Sequence, residues 1–150
     1  MTTHPLYIEI TRSVEEAKLF FEAHSFSALP VCEEGLLVGV LSKATIAEEA
    51  EEALISEYSY AFDHYSVSVN TSWDAVMEAF AAHRTDMLPV VDEAQHLIGC
   101  YQLRDFVLQL AETPFIKETG RVLILEKDAH SYSFAEIAQI VESNHSQLLG

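Results

Sequence analysis

The sequence is poor in positive charge. Of its 150 residues only eight are lysine or arginine, against 24 aspartates and glutamates, which gives a formal net charge of −16. A surface with this charge repels the phosphate backbone of nucleic acids and the head groups of anionic lipids. We therefore expect neither nucleic acid nor a membrane surface as a partner.

Cysteines and long apolar runs are also scarce. Cys32 and Cys100 lie in apolar, strand-like surroundings without CxxC spacing, which predicts reduced core thiols rather than a metal or redox pair. No stretch approaches the roughly 18 apolar residues of a membrane span. The N-terminal stretch MTTHPLYIEITR lacks the basic and apolar regions of a secretory signal. Together these absences predict a cytoplasmic protein.

What the sequence does contain is an internal repeat. The string LPV occurs at residues 29–31 and again at 88–90, a shift of 59. At the same shift FEAH in the first copy matches FAAH in the second, and a shift of 60 pairs Gly39 with Gly99. Because the identities fall in both helix-like and strand-like stretches, they predict a duplicated structural unit.

Each copy has the pattern of a β-α-β-β-α unit. In the first copy the alternating YIEI precedes SVEEAKLFFEAH, where Ser13 and Glu16 predict a capping box at a helix start. The strands ALPVC and LLVGVL flank a turn in which Gly35 can take a positive φ. A second helix is expected from about Ser42, with the glutamates of AEEAEEALISE on its solvated face. The expected buried stripe of the first helix is Val14, Ala17 and Phe21.

The second copy repeats this order. VSVN is followed by a helix, then by the strands MLPVV and HLIGCY, and then by a helix from about Leu103 to Ala111 that Thr113-Pro114 ends. The residues between the copies, EYSYAFDHYS, contain four aromatic side chains and predict a linker that packs against the core. The expected buried stripe of the first helix in this copy is Trp73, Val76 and Phe80.

The duplicated unit resembles the CBS domain. The resemblance rests on LPV before the hairpin and on the motif G-apolar-x-[Ser/Thr]-x-x-[Asp/Asn] after it, and two copies in tandem resemble a CBS pair, or Bateman module. It implies an α+β fold of two β-α-β-β-α repeats in a pseudo-symmetric pair, and a regulatory, non-catalytic role without a required cofactor. It also implies AMP, ADP, ATP or S-adenosylmethionine as the ligand, and a homodimer. The predicted ranges are 6–56 for the first repeat, 57–66 for the linker and 67–112 for the second repeat.

Each copy of the ligand motif departs from the family pattern. The first reads GVLSKAT, in which Ser42 keeps the hydroxyl and Thr45 replaces the acid. The second reads GCYQLRD, in which Asp105 keeps the acid and Gln102 replaces the hydroxyl. The resemblance implies that the acid holds the ribose hydroxyls and that the helix start meets phosphate, as expected at the positive end of a helix dipole.

Cations at both motif copies favour an anionic ligand. Lys43 and Arg104, two of only eight cations, stand at these helix starts, and a guanidinium suits phosphate. The second site is the stronger candidate because it keeps its acid. The alternative is that both motifs are purely structural. The candidate ligand residues are Gln102, Arg104, Asp105, Met87 and Pro89 for the second repeat and Ser42, Lys43 and Thr45 for the first.

No pattern in the sequence predicts catalysis or a metal site. His24 and His83 stand at equivalent helix ends, where a histidine can bond the last carbonyls. No nucleophile elbow, P-loop or dinucleotide-binding turn is present. We therefore predict a non-enzyme that senses a small ligand, with a ligand-free dimerisation and protein-interaction module as the alternative; the regulated target is not predicted.

After Pro114 the pattern changes. GRVLILEK predicts a strand, and SFAEIAQIVES predicts a helix with Ser133 and Glu136 as its capping box and Asn144 as its C-cap. This β-α-β beginning, at 118–150, resembles the first half of an ACT domain, so that the whole chain resembles bacterial CBS–ACT proteins of the acetoin-utilisation type. Half a domain leaves an open sheet edge, and we expect either truncation of a longer chain, which we favour, or packing on a partner. The expected stripe is Phe134, Ile137, Ala138 and Val141.

Overall fold

The computed structural model describes residues 6–117 and 133–148. The chain divides into two compact units, Met1–Phe106 and Val107–Gly150. The predicted domain ranges stay predictions. The predicted strand at 120–127 lies outside the described residues.

The first repeat forms a three-stranded sheet with one α-helix. The central strand β2 (Ala28–Glu33) pairs in parallel with β1 (Ile8–Glu9) and antiparallel with β3 (Leu36–Ser42). The predicted capping box is confirmed: Ser13 Oγ accepts from the Glu16 N–H at 3.3 Å, and the Glu16 carboxylate accepts from the Ser13 N–H at 3.2 Å. The predicted stripe of the helix is buried as well. The elements are β1 (Ile8–Glu9), α1 (Val14–Ala23), β2 (Ala28–Glu33) and β3 (Leu36–Ser42).

The second repeat has the same sheet order and adds a helix. In its sheet the central strand β5 (Met87–Val91) pairs in parallel with β4 (Val67–Ser68) and antiparallel with β6 (Leu97–Gln102). Val76 and Phe80 are buried as predicted, but Trp73 is 59% exposed, and its ring stacks on that of Phe106 at 6.5 Å between centroids. The elements are β4 (Val67–Ser68), α2 (Trp73–His83), β5 (Met87–Val91), β6 (Leu97–Gln102), α3 (Leu103–Ala111) and the short α4 (Pro114–Lys117).

Equivalent residues of the two repeats contact each other. The Leu37 N–H donates to the Gln95 carbonyl, and the Leu97 N–H donates to the Gly35 carbonyl, both at 3.0 Å. Gly35 and Gln95 are equivalent turn positions, at a shift of 60, and both have a positive φ, of 86° and 67°. Reciprocal bonds between equivalent turns show that the repeats form the expected pseudo-symmetric pair.

The prediction of a second helix in the first repeat is wrong. Residues 43–49 form turns and a bend, and a 3₁₀ helix follows at Ile55–Ala61, partly inside the predicted linker. Glutamates at positions 48 and 52 would repel each other at i,i+4 spacing on a helix. The backbone of the segment instead supplies acceptors for α1, whose first N–H groups have no partner within the helix. Val14 and Glu15 donate to the Ala53 and Glu51 carbonyls at 2.8 and 3.1 Å.

The aromatic side chains of the linker differ in burial. Phe62 is buried and Tyr58 and Tyr65 are half-buried, as expected for a linker that packs, whereas Tyr60 is 83% exposed. Phe62 packs on Gly39: a Cβ at that glycine would lie 2.8 Å from the Phe62 Cβ. The linker is therefore held against the β3 strand.

In the second unit the predicted helix is confirmed as α5, Phe134–Ser143. The Ser133 Oγ accepts from the Glu136 N–H at 3.3 Å, and Asn144 is the C-cap. Ile137, Ala138 and Val141 are half-buried, but Phe134 is 57% exposed. The expected stripe is thus only partly buried.

Candidate functional site

In the first repeat the motif residues lie in a turn. Ser42 ends β3, and its Oγ accepts from the Ala44 N–H at 3.3 Å. The Thr45 N–H donates to the Ser42 carbonyl at 3.1 Å, and Lys43 is exposed. Since no α-helix starts here, the first copy of the motif lacks the helix dipole that was expected to face a phosphate.

In the second repeat the motif stands at a true helix start. Gln102 ends β6 and is half-buried, and α3 begins at the next residue. Arg104 is exposed, and Asp105 is half-buried in the first turn. The first N–H groups of a helix have no partner within it. This end of α3 can therefore present backbone donors together with a carboxylate.

Met87 and Pro89 lie beneath this helix start. Both are buried in β5, where Met87 pairs with Gln102 and Pro89 pairs with Cys100. Because Met87 has no exposed surface, it serves as packing under the motif. The structure thus brings four of the five candidates of the second repeat to one end of its sheet, with Pro89 two residues further along β5. It places the three candidates of the first repeat at the equivalent end of the other sheet.

Two residues absent from the predicted site connect these ends. The Ser27 N–H donates to Asp86 Oδ2 at 2.8 Å, across the junction of the repeats. The Ser27 carbonyl accepts from the Lys43 N–H, and the Asp86 carbonyl accepts from the Leu103 N–H, both at 2.9 Å. Ser27 and Asp86 are equivalent at a shift of 59, and a polar residue directly before each copy of the apolar strand was the signal that could have found them.

A buried hydroxyl network borders the start of β5. The Tyr65 hydroxyl bonds Thr85 Oγ1 at 2.8 Å, and Thr85 Oγ1 also contacts the carbonyl and N–H of Met87 at 2.8 and 3.2 Å. Burial raises the pKa of Tyr65, against a smaller lowering by its bond to Thr85. The Tyr65 ring stacks on His83 at 4.6 Å between centroids. This packing fixes the segment that leads into β4.

An open cleft of about 410 Å³ lies between the repeats, away from the predicted residues. β3 contributes the stretch 37–39, the linker contributes 64–66, and His83 and Gln95 complete the lining. None of the eight predicted ligand residues lines it. Sequence patterns could not find this cleft because it depends on how the two repeats pack.

Neither cysteine resembles a reactive site. Burial raises the pKa of the Cys32 thiol to about 12, with a further contribution from Glu9. Burial also raises the pKa of Cys100 to about 12. Within residues 6–117 and 133–148 no group of three or more histidine, cysteine, aspartate and glutamate side chains is placed to hold a metal ion, and no helix there is long and apolar enough to cross a membrane.

Comparison with known proteins identifies the repeats. The CBS domain family matches residues 1–52 and 60–112. The chain belongs to the CBS domain family. The CBS domain-containing protein YhcV of Bacillus subtilis is 27% identical over 114 residues, which cover 72% of this chain and 80% of that protein.

Longer enzymes also match this CBS chain. Inosine-5′-monophosphate dehydrogenase of Helicobacter pylori is 24% identical over 103 residues, 67% of this chain. The chain spans about a fifth of the dehydrogenase, 21% of its length. This match therefore does not extend to the enzyme as a whole.

Solved CBS structures share the fold. A CBS domain pair/ACT domain protein from Thermotoga maritima aligns with a TM-score of 0.66 at 22% identity, over 74% of this chain and 92% of that one. The CBS domain pair of protein MJ0100, in complex with 5′-methylthioadenosine and S-adenosyl-L-methionine, aligns at 0.61 and 21%, over 74% and 91%. The cytosolic domain of the Mg²⁺ channel MgtE, in complex with ATP, aligns at 0.61 and 25%, over 73% and 46%.

Proposed function

We propose that this chain is a non-catalytic regulatory module that binds one adenosyl compound at the second repeat. The observation that carries the proposal is the difference between the motif copies: only GCYQLRD combines a helix start with an acid. Asp105 would accept hydrogen bonds from the ribose hydroxyls, and the N–H groups that follow Leu103 in the first turn of α3 would bind the polar end of the ligand. Gln102 and Arg104 would flank it, and Met87 and Pro89 would pack beneath it.

The first repeat provides a weaker site in this proposal. Ser42 and Thr45 offer hydroxyls, and Lys43 offers a charge, but no helix start orients them. Neutral hydrogen bonds are weaker than those to a carboxylate. We therefore expect one ligand per chain rather than two.

Support comes from the ligands of similar proteins. The CBS pair of MJ0100 is in complex with two adenosyl compounds and the MgtE domain with ATP. Regulation requires that the ligand bind two arrangements of the protein with different affinity. The reciprocal bonds between the hairpin turns are contacts that such a change would alter.

A thermal-shift panel tests the proposal. We expect at least one of AMP, ADP, ATP and S-adenosylmethionine to stabilise the protein, by about 2.7 kcal/mol at a hundredfold excess over Kd. Asp105→Ala should lose this stabilisation. The matched control is Asp74→Ala, which removes the acid from the first turn of α2 instead. No response to any compound, with Asp105→Ala behaving as the parent does, would refute the proposal.

The alternative is a dimerisation module without a ligand. Leu19 of α1 and Trp73 and Met77 of α2 are 56%, 59% and 40% exposed, and the i,i+4 spacing of Trp73 and Met77 places these two on one face of α2. We propose that they contribute to a homodimer. Sedimentation should show a dimer that Trp73→Ser weakens; a monomer at all concentrations would exclude this.

The tail remains a proposal as an ACT-like element. Its support is the capped helix α5 and the CBS–ACT architecture named for the Thermotoga maritima neighbour. The cytoplasmic location, and the expectation that nucleic acid and membranes are not partners, also remain predictions. Amide exchange over 120–127 tests the tail: slow exchange there is expected of a paired strand, and exchange at the random-coil rate would contradict it.

A further inference from the structure

Asp86 occupies a central position between the two motif copies. Its Oδ2 accepts from the Ser27 N–H at 2.8 Å, and its carbonyl accepts from the Leu103 N–H at 2.9 Å. The Ser27 carbonyl in turn accepts from the Lys43 N–H. The Asp86 carboxylate is therefore hydrogen-bonded to Ser27, whose carbonyl binds the first motif at Lys43. The carbonyl of Asp86 itself binds the second motif at Leu103.

The negative charge of Asp86 is only partly compensated. Its Oδ1 is buried and has no hydrogen-bond partner among the residues the structure describes. The ion pairs in that part of the chain join Arg12 to Glu16, His96 to Asp92 and Lys117 to Glu112, so none of them involves Asp86. The nearby cations, Lys43 and Arg104, are exposed. A partly buried charge acts over a longer range than an exposed one, because water screens it less.

We infer that Asp86 selects the charge class of the ligand: the site takes an uncharged or cationic adenosyl compound, a thioether or a sulfonium, in preference to a nucleoside polyphosphate. This inference rests on the proposed function. A phosphate at the second motif would be repelled by this partly compensated carboxylate, whereas a sulfonium would be attracted by it. At an effective dielectric constant near 20, two unit charges roughly 10 Å apart change an affinity by on the order of tenfold before salt screens them.

This assignment revises the role of the exposed cations. Lys43 and Arg104 favour phosphate by sequence, but their ammonium and guanidinium groups are in solvent. Exposed charges are screened strongly by salt. Asp86 is half-buried at the junction of the repeats, so its charge is screened less than the charges of Lys43 and Arg104.

The test measures affinities for four probes that share the adenosyl group and differ in the charge and size of the 5′ substituent: 5′-methylthioadenosine, S-adenosylmethionine, AMP and ATP. The parent should bind the first two at least tenfold more tightly than ATP. Asp86→Asn keeps an oxygen that can accept from the Ser27 N–H and removes the charge, so it should narrow this preference by about tenfold or more. Glu78→Gln, which removes an exposed carboxylate from α2, should leave the preference unchanged.

A second variant controls for misfolding of Asp86→Asn. Asp86→Ser places at position 86 the residue found at the equivalent position 27, and it should narrow the preference as Asp86→Asn does. Tighter binding of ATP than of the thioether by the parent, or a preference unchanged in both variants, would overturn the inference while leaving the proposed function intact. Binding of none of the four probes would overturn both.

Discussion

Each repeat has its own three-stranded sheet of the same order and an equivalent first helix, and the repeats differ after the third strand. Following β6 the second repeat continues into α3, whereas following β3 the first repeat enters turns. Ile46 and Phe106 are equivalent at a shift of 60, and both pack on the core of their own repeat. Equivalent residues therefore pack on the core in both repeats, although Phe106 is only partly buried and the backbone around the two residues differs.

The difference shows that the conformation of a segment depends on the hydrogen-bond partners of its backbone carbonyls. In the first repeat the carbonyls of Glu51 and Ala53 accept from the start of α1, and the Glu49 carbonyl accepts from Lys18 Nζ at 2.7 Å. In a helix that ran from Ser42 through Glu57, these carbonyls would instead accept from the N–H groups four residues further along. The second repeat retains a helix start, and with it the better candidate site.

The largest expected effect is on thiol reactivity, compared between Cys32 of the first repeat and Cys100 of the second. Burial raises the pKa of each to about 12, so the thiolate at neutral pH should be about a thousandfold scarcer than for an ordinary thiol. Because the pKa is raised, labelling should accelerate as the pH rises towards 12. Iodoacetamide labelling followed by mass spectrometry measures this. Native labelling of either cysteine at the rate of the unfolded chain would contradict it.

The next largest effect is on the free energy of unfolding when a core leucine of either repeat is truncated. Leu29 and Leu88 are equivalent and have no exposed surface. Replacing either with alanine should lower the free energy of unfolding by about 2–5 kcal/mol, through lost burial and a cavity. Urea unfolding of Leu29→Ala and Leu88→Ala gives the comparison. A cost below about 1 kcal/mol for one of them would show that the repeats are not equivalently packed.

A smaller effect is expected where the linker crosses β3. Gly39→Ala would place a Cβ 2.8 Å from the Phe62 Cβ and 3.2 Å from the Asp63 carbonyl oxygen. The linker must then shift, at about 1–3 kcal/mol. The control is Gly39→Ala in a Phe62→Gly background, which lacks the Cβ of the closest contact, so the additional cost should shrink. An unchanged midpoint for the single variant in urea would refute the close packing.

The smallest effect concerns the segment that replaces the helix. Lys18→Met keeps the apolar stem but removes the bond to the Glu49 carbonyl, and it should cost about 1 kcal/mol. Arg12→Met removes a surface ion pair with Glu16 and should cost less than about 0.5 kcal/mol. Thermal unfolding of both variants checks the order. If Arg12→Met were the more damaging, the segment would not depend on Lys18.

Much of the fold follows from local patterns in the sequence. The capping box at Ser13, the positive φ at Gly35 and the beginning of α3 at Leu103 depend on neighbouring residues, and all three are confirmed. The absence of the expected second helix in the first repeat could not be predicted in the same way, since the carbonyls of Glu51 and Ala53 bind the start of α1, far away in the chain. Tertiary demand overrode helix propensity there.

The candidate site was predictable only in part. The resemblance indicated the end of β6, but it did not indicate Asp86, whose importance arises from its bond to Ser27 across the junction. Nor could spacing show that Met87 has no exposed surface. Contacts between repeats depend on packing that no single motif contains.

The most direct test of the central claim is the stoichiometry of binding by isothermal titration calorimetry. With 5′-methylthioadenosine or S-adenosylmethionine as titrant, the difference between the repeats predicts one ligand per chain. Binding should be lost in Asp105→Ala and retained in Thr45→Val. Two equivalent sites per chain, or binding abolished by Thr45→Val and unaffected by Asp105→Ala, would contradict the assignment of the ligand to the second repeat.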